Sequence, residues 1–180
     1  MVEKVVLVDD DNAVQGTAPK HSVHDEETPL HRGFSTYVFN DDGELLLQQR
    51  SEAKTTWPGF WSNSVCGHPE IEETVVEAAR RRADDELNLT LTKLTVVLPE
   101  YRYEFSHENI KENELCPVLV AQPKSSISPN PDEVQATTWE SWENIVDYKD
   151  ESTHTPWFLD EVDELQDTEK FNDWYDEVIM

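Results

Sequence analysis

The sequence predicts an α+β domain in which a mixed β-sheet is sandwiched by helices, with extra helices at the C-terminal end. Three patterns predict this class: short β-branched and apolar runs bounded by turn residues, one long amphipathic helix in the interior, and helical periodicity near the end of the chain. At 180 residues the chain has the length of one domain. We therefore expect residues 1–180 to form a single domain, with an acidic helical part at about 140–180.

The elements follow in order along the chain. Residues 5–8 are a β-branched run that ends in an acidic turn, which is typical of a strand. Residues 34–39 and 45–49 flank Asn-Asp-Asp-Gly and predict a β-hairpin. Residues 73–87 repeat small apolar side chains every four positions, so we expect the main helix there. The remaining patterns predict strands at 91–98, 101–106, 115–121 and 133–139, and helices at about 140–148 and 156–178.

The charge balance excludes two classes of partner. Lys and Arg number 14 against 39 Asp and Glu, which gives a net charge of −25. A surface this negative repels both nucleic-acid phosphates and anionic lipids, and no run reaches the ~18 apolar residues of a membrane helix. We expect a small-molecule partner, no nucleic acid and no membrane. Because about 2–8 charges suffice to keep a small domain soluble, we interpret the excess as an acidic, halophilic-type surface suited to molar salt.

The cysteine content and the first residues bear on the compartment. Two cysteines make no disulfide framework, and residues 1–4 do not begin a signal peptide, so we expect a cytoplasmic protein. A Cys66–Cys116 disulfide is a further alternative, which a reducing cytoplasm disfavours. The sequence leaves the oligomeric state open between a monomer and a weak homodimer.

Five side chains of the types that bind divalent metals lie in three segments of the chain. They are His24, His31, His68, Glu112 and Glu114. Taken singly, each is more typical of a surface or core residue. Glu112 and Glu114, however, lead directly into the predicted strand at 115–121 and face one way at its edge, where two carboxylates repel unless a cation or a proton lies between them. Three imidazoles with two carboxylates would suit Mn²⁺, Mg²⁺ or Zn²⁺.

Residues 57–69 are the least random stretch of the sequence. Two tryptophans surround a Pro-Gly turn, and a short predicted strand then delivers Cys66 and His68 two residues apart. A buried cysteine is usually only a small hydrophobic side chain. Here Gly67 permits close approach of the backbone and His68 could bind a metal, so we interpret Cys66 as a chemical group and Cys116 as a core residue.

The main helix carries a second pattern. Its order of a glycine, a glutamate and a charged segment resembles the Nudix box, which holds magnesium against a diphosphate: Gly67, Glu73 and residues 81–87. Arg82 and Asp85 replace glutamates of that motif, and Asn88 replaces its last glycine. Fewer carboxylates weaken the magnesium cluster that activates water on a pyrophosphate, while Arg82 adds charge for holding a diphosphate.

Together these motifs resemble type 1 isopentenyl-diphosphate isomerase, a Nudix-fold family of isoprenoid biosynthesis. The resemblance runs from about residue 5 to residue 157. It rests on five segments, namely 30–35, 57–59, 63–69, 112–118 and 155–157. The Cys-Gly-His and Glu-Asn-Glu segments are specific, because ordinary Nudix hydrolases lack both. The departures lie in the acidic surface and the final helices.

The resemblance implies an enzyme that interconverts isopentenyl and dimethylallyl diphosphate. A proton is added at one end of the alkene and another is removed at the opposite side, through a tertiary carbocation. Cys66 and Glu114 would transfer the two protons, in an order that the resemblance leaves open. Tyr103 would lie beside Glu114, and Trp157 would face the cation with its ring.

The resemblance also implies the binding residues. The three histidines and two glutamates named above would bind Mn²⁺, Mg²⁺ or Zn²⁺, and Glu114 would serve both as a ligand and as a proton carrier. Glu86 would hold a second ion, a Mg²⁺ that bridges to the diphosphate. Four basic residues would bind the diphosphate itself: Lys20, Arg50, Lys54 and Arg82. Ser35 would line the pocket without a catalytic role.

Two other functions stay open. A Nudix pyrophosphohydrolase would release phosphate from a nucleoside or prenyl diphosphate, although Arg82 and Asp85 disfavour that activity. A diphosphate-binding module would bind its ligand without turnover, and its affinity would not depend on Cys66.

Overall fold

The structure is a computed structural model that describes residues 3–180. The strands within this range are β1 Lys4–Val8, β2 Val14–Pro19, β3 His31–Arg32, β4 Phe34–Val38, β5 Glu44–Arg50, β6 Trp61–Ser62, β7 Val65–Gly67, β8 Leu91–Leu98, β9 Arg102–His107, β10 Ile110–Leu115, β11 Val118–Pro123 and β12 Val134–Ser141. The helices are α1 Lys20–Val23, α2 Val75–Leu87, α3 Trp142–Asp147, α4 Pro156–Gln166 and α5 Glu169–Val178.

The strands form three sheets, and two of these mix parallel with antiparallel pairs. One sheet has the order β2-β1-β3-β10-β9, the second β7-β4-β11-β8, and the third β12-β5-β6. The parallel pairs are β3 with β10 and β4 with β11. The predicted α+β class with mixed sheets and C-terminal helices is confirmed, and the strands are divided among three sheets.

Helices cover both faces of the β4–β11 pair, because alternate residues of these strands enter different cores. Phe34 and Val38 pack with Leu119 in a core cluster that includes the apolar side of α2. Tyr37 and Val120 belong to the other cluster, which includes aromatic and aliphatic side chains of α4 and α5. The C-terminal helices therefore share a hydrophobic core with the central strands.

The predicted β-hairpin over residues 34–49 is wrong in its pairing. Strand β4 pairs with β7 on one edge and with β11 on the other, so neither edge is free for β5. A single bridge between Phe39 and Leu45 is the contact that remains next to the turn. Strand β5 instead pairs with β12 and β6. The turn itself is as expected, with Gly43 at φ 75°.

The predicted strand over residues 115–121 is also wrong in its extent, since the chain changes sheets within it. Strand β10 ends at Leu115 and strand β11 begins at Val118 in another sheet. Pro117 lies at the break, where its lack of an N–H group ends the ladder. The carbonyls of Leu115 and Pro117 accept hydrogen bonds from Gly33 and Ser35, so each strand keeps a parallel neighbour across the break.

The predicted main helix is confirmed as α2, which begins two residues later than expected. Thr74 caps it, and a capping box joins Thr74 to Glu77. Asn88 ends the helix in the left-handed region at φ 49°. This conformation explains why asparagine can stand where the motif has glycine, since both residues tolerate it.

The C-terminal pattern over 156–178 forms two helices with a break at Asp167 and Thr168. Thr155 precedes Pro156 at the start of α4, a position at which proline needs no hydrogen-bond partner. Among residues 3–180, no helix combines the length and the apolar composition that crossing a membrane requires.

Candidate active site

The three sheets meet around a cavity of about 310 Å³. Twelve of the thirteen residues that the sequence predicts for the site line this cavity: Lys20, His24, Arg50, Lys54, Cys66, His68, Arg82, Glu86, Tyr103, Glu112, Glu114 and Trp157. The remaining residue, His31, is fully buried and lies 3.4 Å from Glu114 through its Nε2 atom. Side chains that are distant in sequence therefore share one site.

Strand pairing explains how the two predicted proton carriers reach the cavity. Glu114 on β10 is the cross-strand partner of Tyr103 on β9 and of His31 on β3. Cys66 on β7 is the partner of Ser35 on β4, in a different sheet. The thiol and the carboxylate thus approach the same space from two sheets.

The three histidines and two glutamates form a compact cluster. The ring centroids of His24, His31 and His68 are 5.2 to 5.8 Å apart. The ligand atoms of these histidines lie within 4.8 Å of one another, and the same holds for His31, Glu112 and Glu114. His24 Nε2 lies 3.1 Å from Glu112 Oε2, and His68 Nε2 lies 3.0 Å from Glu114 Oε1.

The hydrogen bonds of the cluster fit a divalent metal. The Nδ1 atoms of His24 and His31 lie 3.2 and 2.9 Å from the backbone carbonyls of Lys20 and Pro29, a contact that places the ring proton on Nδ1 and leaves Nε2 free to bind a metal. Both Nε2 atoms and Glu112 Oε2 are buried without a hydrogen-bond partner among the described residues. Buried polar atoms without partners are costly, and a shared cation would satisfy these three together.

Glu114 is held between a glycine and two imidazoles. A Cβ atom on Gly33 would lie 1.8 Å from Glu114 Oε2, so any larger residue at this position would displace the carboxylate. Burial opposes ionisation of Glu114, but the close imidazoles of His31 and His68 outweigh it and hold the pKa of the carboxyl well below its usual value. The side chain is therefore an ionised carboxylate, as a metal ligand must be.

Cys66 is a free thiol, as is Cys116, so the disulfide alternative is not realised. Burial raises the pKa of the Cys66 thiol to about 11, although the nearby Arg50 guanidinium acts in the opposite direction. Arg50 Nη1 lies 3.8 Å from the sulfur. The thiol thus carries its proton at neutral pH.

An aromatic wall closes one side of the cavity. Trp157 stacks on Tyr103 at 5.8 Å and meets Trp57 edge-on at 5.1 Å. The indole N–H of Trp157 lies 3.4 Å from Asn63 Oδ1, which fixes the orientation of the ring. The guanidinium carbon of Arg50 lies 5.4 Å from the ring centroid, so the indole already faces one positive charge.

The basic residues that line the cavity form ion pairs and hydrogen bonds with oxygen atoms of the protein. Lys20 pairs with Glu3 at 2.9 Å, and Arg50 donates to the backbone and hydroxyl oxygens of Thr56 at 2.8 and 3.0 Å. Lys54 pairs with Glu133.

Arg82 binds two carboxylates through one nitrogen. Its Nη2 atom lies 2.5 Å from Glu86 and 3.2 Å from Glu133. Its Nε atom is buried with no hydrogen-bond partner in the part of the chain that the structure describes. One donor of this guanidinium therefore has no acceptor among these residues.

Sequence reasoning missed three residues that organise the site. Gln48 donates to Glu86 at 3.1 Å, Asn63 meets Trp157, and Glu133 binds two of the cations. Gln48 and Asn63 are neutral side chains with no motif of their own. Glu133 is one of many carboxylates in an acidic chain, and only its position directly before β12 brings it to the cavity.

Comparisons with known proteins agree with this geometry. Residues 29–160 match the NUDIX domain. An isopentenyl-diphosphate Delta-isomerase of Clavibacter sepedonicus is 44% identical over 156 residues, which cover 86% of this chain and 80% of that protein. The enzyme of the same name from Salmonella paratyphi B is 39% identical over 177 residues and covers 96% of this chain and 97% of its own.

A structural relative supports the fold. The crystal structure of a protein from Deinococcus radiodurans superposes with a TM-score of 0.69 at 20% identity, covering 90% of this chain and 98% of that one. The predicted NUDIX fold is confirmed by these matches. The chain belongs to the NUDIX superfamily and, within it, to the isopentenyl-diphosphate Delta-isomerase family.

Proposed function

We propose that this protein is an enzyme of isoprenoid biosynthesis that converts isopentenyl diphosphate to dimethylallyl diphosphate. One observation carries the proposal: a thiol and an ionised carboxylate open into the same cavity from different sheets, next to a cluster suited to a divalent metal. The relatives that bear the name of this activity cover most of the chain at 39 to 44% identity.

The reaction moves a double bond and leaves the diphosphate intact. A proton adds to the terminal methylene carbon of the substrate, which leaves a tertiary carbocation at the neighbouring carbon. Loss of a proton from the methylene group on the other side of that carbon then forms the new double bond. Cys66 and Glu114 are the proton carriers, one for each step, with Tyr103 beside Glu114.

The aromatic wall supports the carbocation. Trp157 is 3% exposed, so its ring faces the cavity with little competing water. A cation near a desolvated indole is stabilised by about 2 kcal/mol. Tyr103, which stacks on Trp157, extends this wall toward Glu114.

We also propose that the cluster of histidines and glutamates binds a divalent metal. His24, His31, His68, Glu112 and Glu114 hold Mn²⁺, Mg²⁺ or Zn²⁺, in agreement with their unpartnered nitrogen and oxygen atoms. When bound, the ion supplies positive charge that stabilises Glu114 as a carboxylate and orders the side chains around it. Glu86 holds a Mg²⁺ ion that accompanies the diphosphate, and Lys20, Arg50, Lys54 and Arg82 bind the phosphate oxygens.

The charges of the cavity support a requirement for divalent cations. Six carboxylates line it, from Glu3, Glu86, Glu112, Glu114, Asp132 and Glu133, against four cations, from Lys20, Arg50, Lys54 and Arg82. With neutral histidines the lining has an excess of two negative charges. A diphosphate anion would be repelled by this lining, whereas two divalent ions reverse the sign of the field.

A pyrophosphohydrolase is the second candidate function. The NUDIX match allows it, but the helix that carries the Nudix box has Arg82 paired with Glu86, where a multi-magnesium cluster needs carboxylates. The test is incubation with isopentenyl diphosphate, Mg²⁺ and Mn²⁺ in molar KCl. We expect dimethylallyl diphosphate without phosphate release. Phosphate release would favour the hydrolase, and tight binding with neither product would favour a binding module.

The shared core, the free thiols and the net charge bear on the whole protein. We infer that residues 1–180 are one domain, supported by the core that α4 and α5 share with β4 and β11. Two free thiols suit a reducing cytoplasm, which we propose as the compartment. With a net charge of −25 opposing self-association, we propose a monomer or a weak homodimer that binds neither nucleic acid nor membrane.

A further inference from the structure

Glu133 contacts two of the cations that the proposed function assigns to the diphosphate. Its Oε2 atom pairs with Lys54 Nζ and lies 3.2 Å from Arg82 Nη2. The side chain is 27% exposed and lines the cavity. Its backbone is anchored independently, because the carbonyl accepts from Ser51 at 3.2 Å and the N–H donates to Asn130 at 3.0 Å.

A carboxylate and a phosphate oxygen compete for the same donors. Partial burial opposes ionisation of Glu133, but Lys54 and Arg82 hold the pKa of its carboxyl at about 2, so it is an anion at any physiological pH. Both lysine and arginine bind phosphate oxygens in the way they bind carboxylates. A diphosphate that takes the Lys54 Nζ and Arg82 Nη2 donors therefore competes with the Glu133 carboxylate for them.

Glu133 is one of two carboxylates at this place in the cavity. Glu86 and Glu133 approach the same Arg82 nitrogen, at 2.5 and 3.2 Å, so two carboxylates border the place where a diphosphate would lie. Neighbouring like charges repel strongly in a partly desolvated cavity. A bare diphosphate therefore meets repulsion that a magnesium-bound diphosphate does not.

We propose that Glu133 is a positioning and selectivity residue: it holds Lys54 and Arg82 in place in the free enzyme, and it disfavours a diphosphate that arrives without Mg²⁺. The proposal rests on the proposed function in so far as that function places a diphosphate at these cations. The Glu133 carboxylate is an internal anion that competes with the diphosphate, and it therefore determines how strongly diphosphate binding depends on Mg²⁺.

The test compares Glu133→Gln with Asp132→Asn by titrating inorganic pyrophosphate in a calorimeter. Protein loaded with Mn²⁺ and freed of unbound metal is titrated once without Mg²⁺ and once with it. Asp132→Asn is a matched control, because it also removes one negative charge from the lining of the cavity. Asp132, however, forms no ion pair within residues 3–180. Replacing the carboxylate at position 133 by an amide preserves the size of the side chain and leaves its backbone hydrogen bonds to Ser51 and Asn130 intact.

We expect Glu133→Gln to tighten binding of magnesium-free pyrophosphate about tenfold, the usual scale for removing a close charge contact, and to reduce the advantage of added Mg²⁺. Asp132→Asn should change the affinity less than about threefold, since it alters only the general field. Unchanged or weaker magnesium-free binding in Glu133→Gln overturns the proposal, as does an equal effect in both variants. Weaker binding only with Mg²⁺ present would make Glu133 a magnesium ligand and also overturn it.

Pyrophosphate has no double bond, so this measurement does not depend on turnover. Conversion of isopentenyl diphosphate by the wild-type protein is measured separately. The expected affinities without any conversion would refute the proposed isomerase and leave the role of Glu133 standing, whereas conversion with unchanged affinities would do the reverse.

Discussion

Glu161 is a buried acid that pairs with no cation within residues 3–180, and replacing it with glutamine should stabilise the protein. The side chain is 0% exposed, accepts a hydrogen bond from Tyr37 at 2.8 Å, and lies 3.9 Å from the sulfur of Cys116. Burial, together with the negative charges of Glu114 and Asp160, raises the pKa of its carboxyl from 4.5 to about 8, against the opposing hydrogen bonds from Ser35 and Tyr37.

The direction of the pH dependence follows from this pKa. Between pH 4.5 and about 8, the folded state keeps a proton on Glu161 that the unfolded state has released. The stability associated with this group is complete below pH 4.5 and is lost as the pH rises through the folded pKa. At pH 7 the loss spans about 2.5 pH units at about 1.4 kcal/mol each, which amounts to about 3 to 4 kcal/mol.

Glu161→Gln keeps the shape and the acceptor for Tyr37 but cannot ionise. Urea unfolding of both proteins at about pH 5, 6, 7 and 8, under one metal load and one KCl concentration, gives the difference in free energy of unfolding. We expect this difference to grow from below 1 kcal/mol near pH 5 to about 3 to 4 kcal/mol at pH 7. The exposed Glu164, on the same helix, supplies the control, because Glu164→Gln should stay within about 0.5 kcal/mol at every pH. A difference for Glu161→Gln that does not change with pH would refute the reasoning.

Three shorter predictions concern the site, the helix and the surface. Gly33→Ala places a methyl group against the Glu114 carboxylate, so we expect the variant to lose its bound metal and to convert substrate at least about a hundredfold more slowly. Metal analysis and product formation measure the two effects, and a fully active variant that retains its metal would contradict this expectation. Thr74→Ala removes the capping box of α2, which should cost about 1 kcal/mol in urea unfolding with KM unchanged, and an altered KM would show that the cap also shapes the site. The net charge of −25 predicts that the midpoint of unfolding rises between low and molar KCl, and a midpoint that stays constant would count against an adaptation to salt.

The parts of the fold that local chemistry controls were predictable. The strand over 91–98 and the helix at α2 have periodic patterns and clear ends, and both occur. Pairing was not predictable, because Asn40 to Gly43 satisfy a turn equally well whether or not the flanking strands stay together. The strands β3, β6 and β7 have only two or three residues, which is too short for any period.

The candidate site shows the same division. Its predicted residues lie around one cavity because a family resemblance, with its motifs around Cys66 and Glu114, identifies them together. Spacing alone could not do so, since His31 reaches Glu114 through the pairing of β3 with β10 and His24 reaches Glu112 from the end of α1, each across nearly half of the chain. Glu133 was missed for the opposite reason, because a carboxylate carries no signal in a sequence with 39 acidic residues.

The most direct test of the isomerase is transfer of deuterium from solvent. The wild-type protein, with Mg²⁺ and Mn²⁺ in molar KCl, is incubated with isopentenyl diphosphate in deuterium oxide, and the product is analysed by NMR. The account predicts that dimethylallyl diphosphate forms with deuterium in the methyl group that received the proton, and that Cys66→Ala and Glu114→Gln, both shown by circular dichroism to be folded, form none. Conversion by either folded variant at the wild-type rate would contradict the assignment of the two proton carriers.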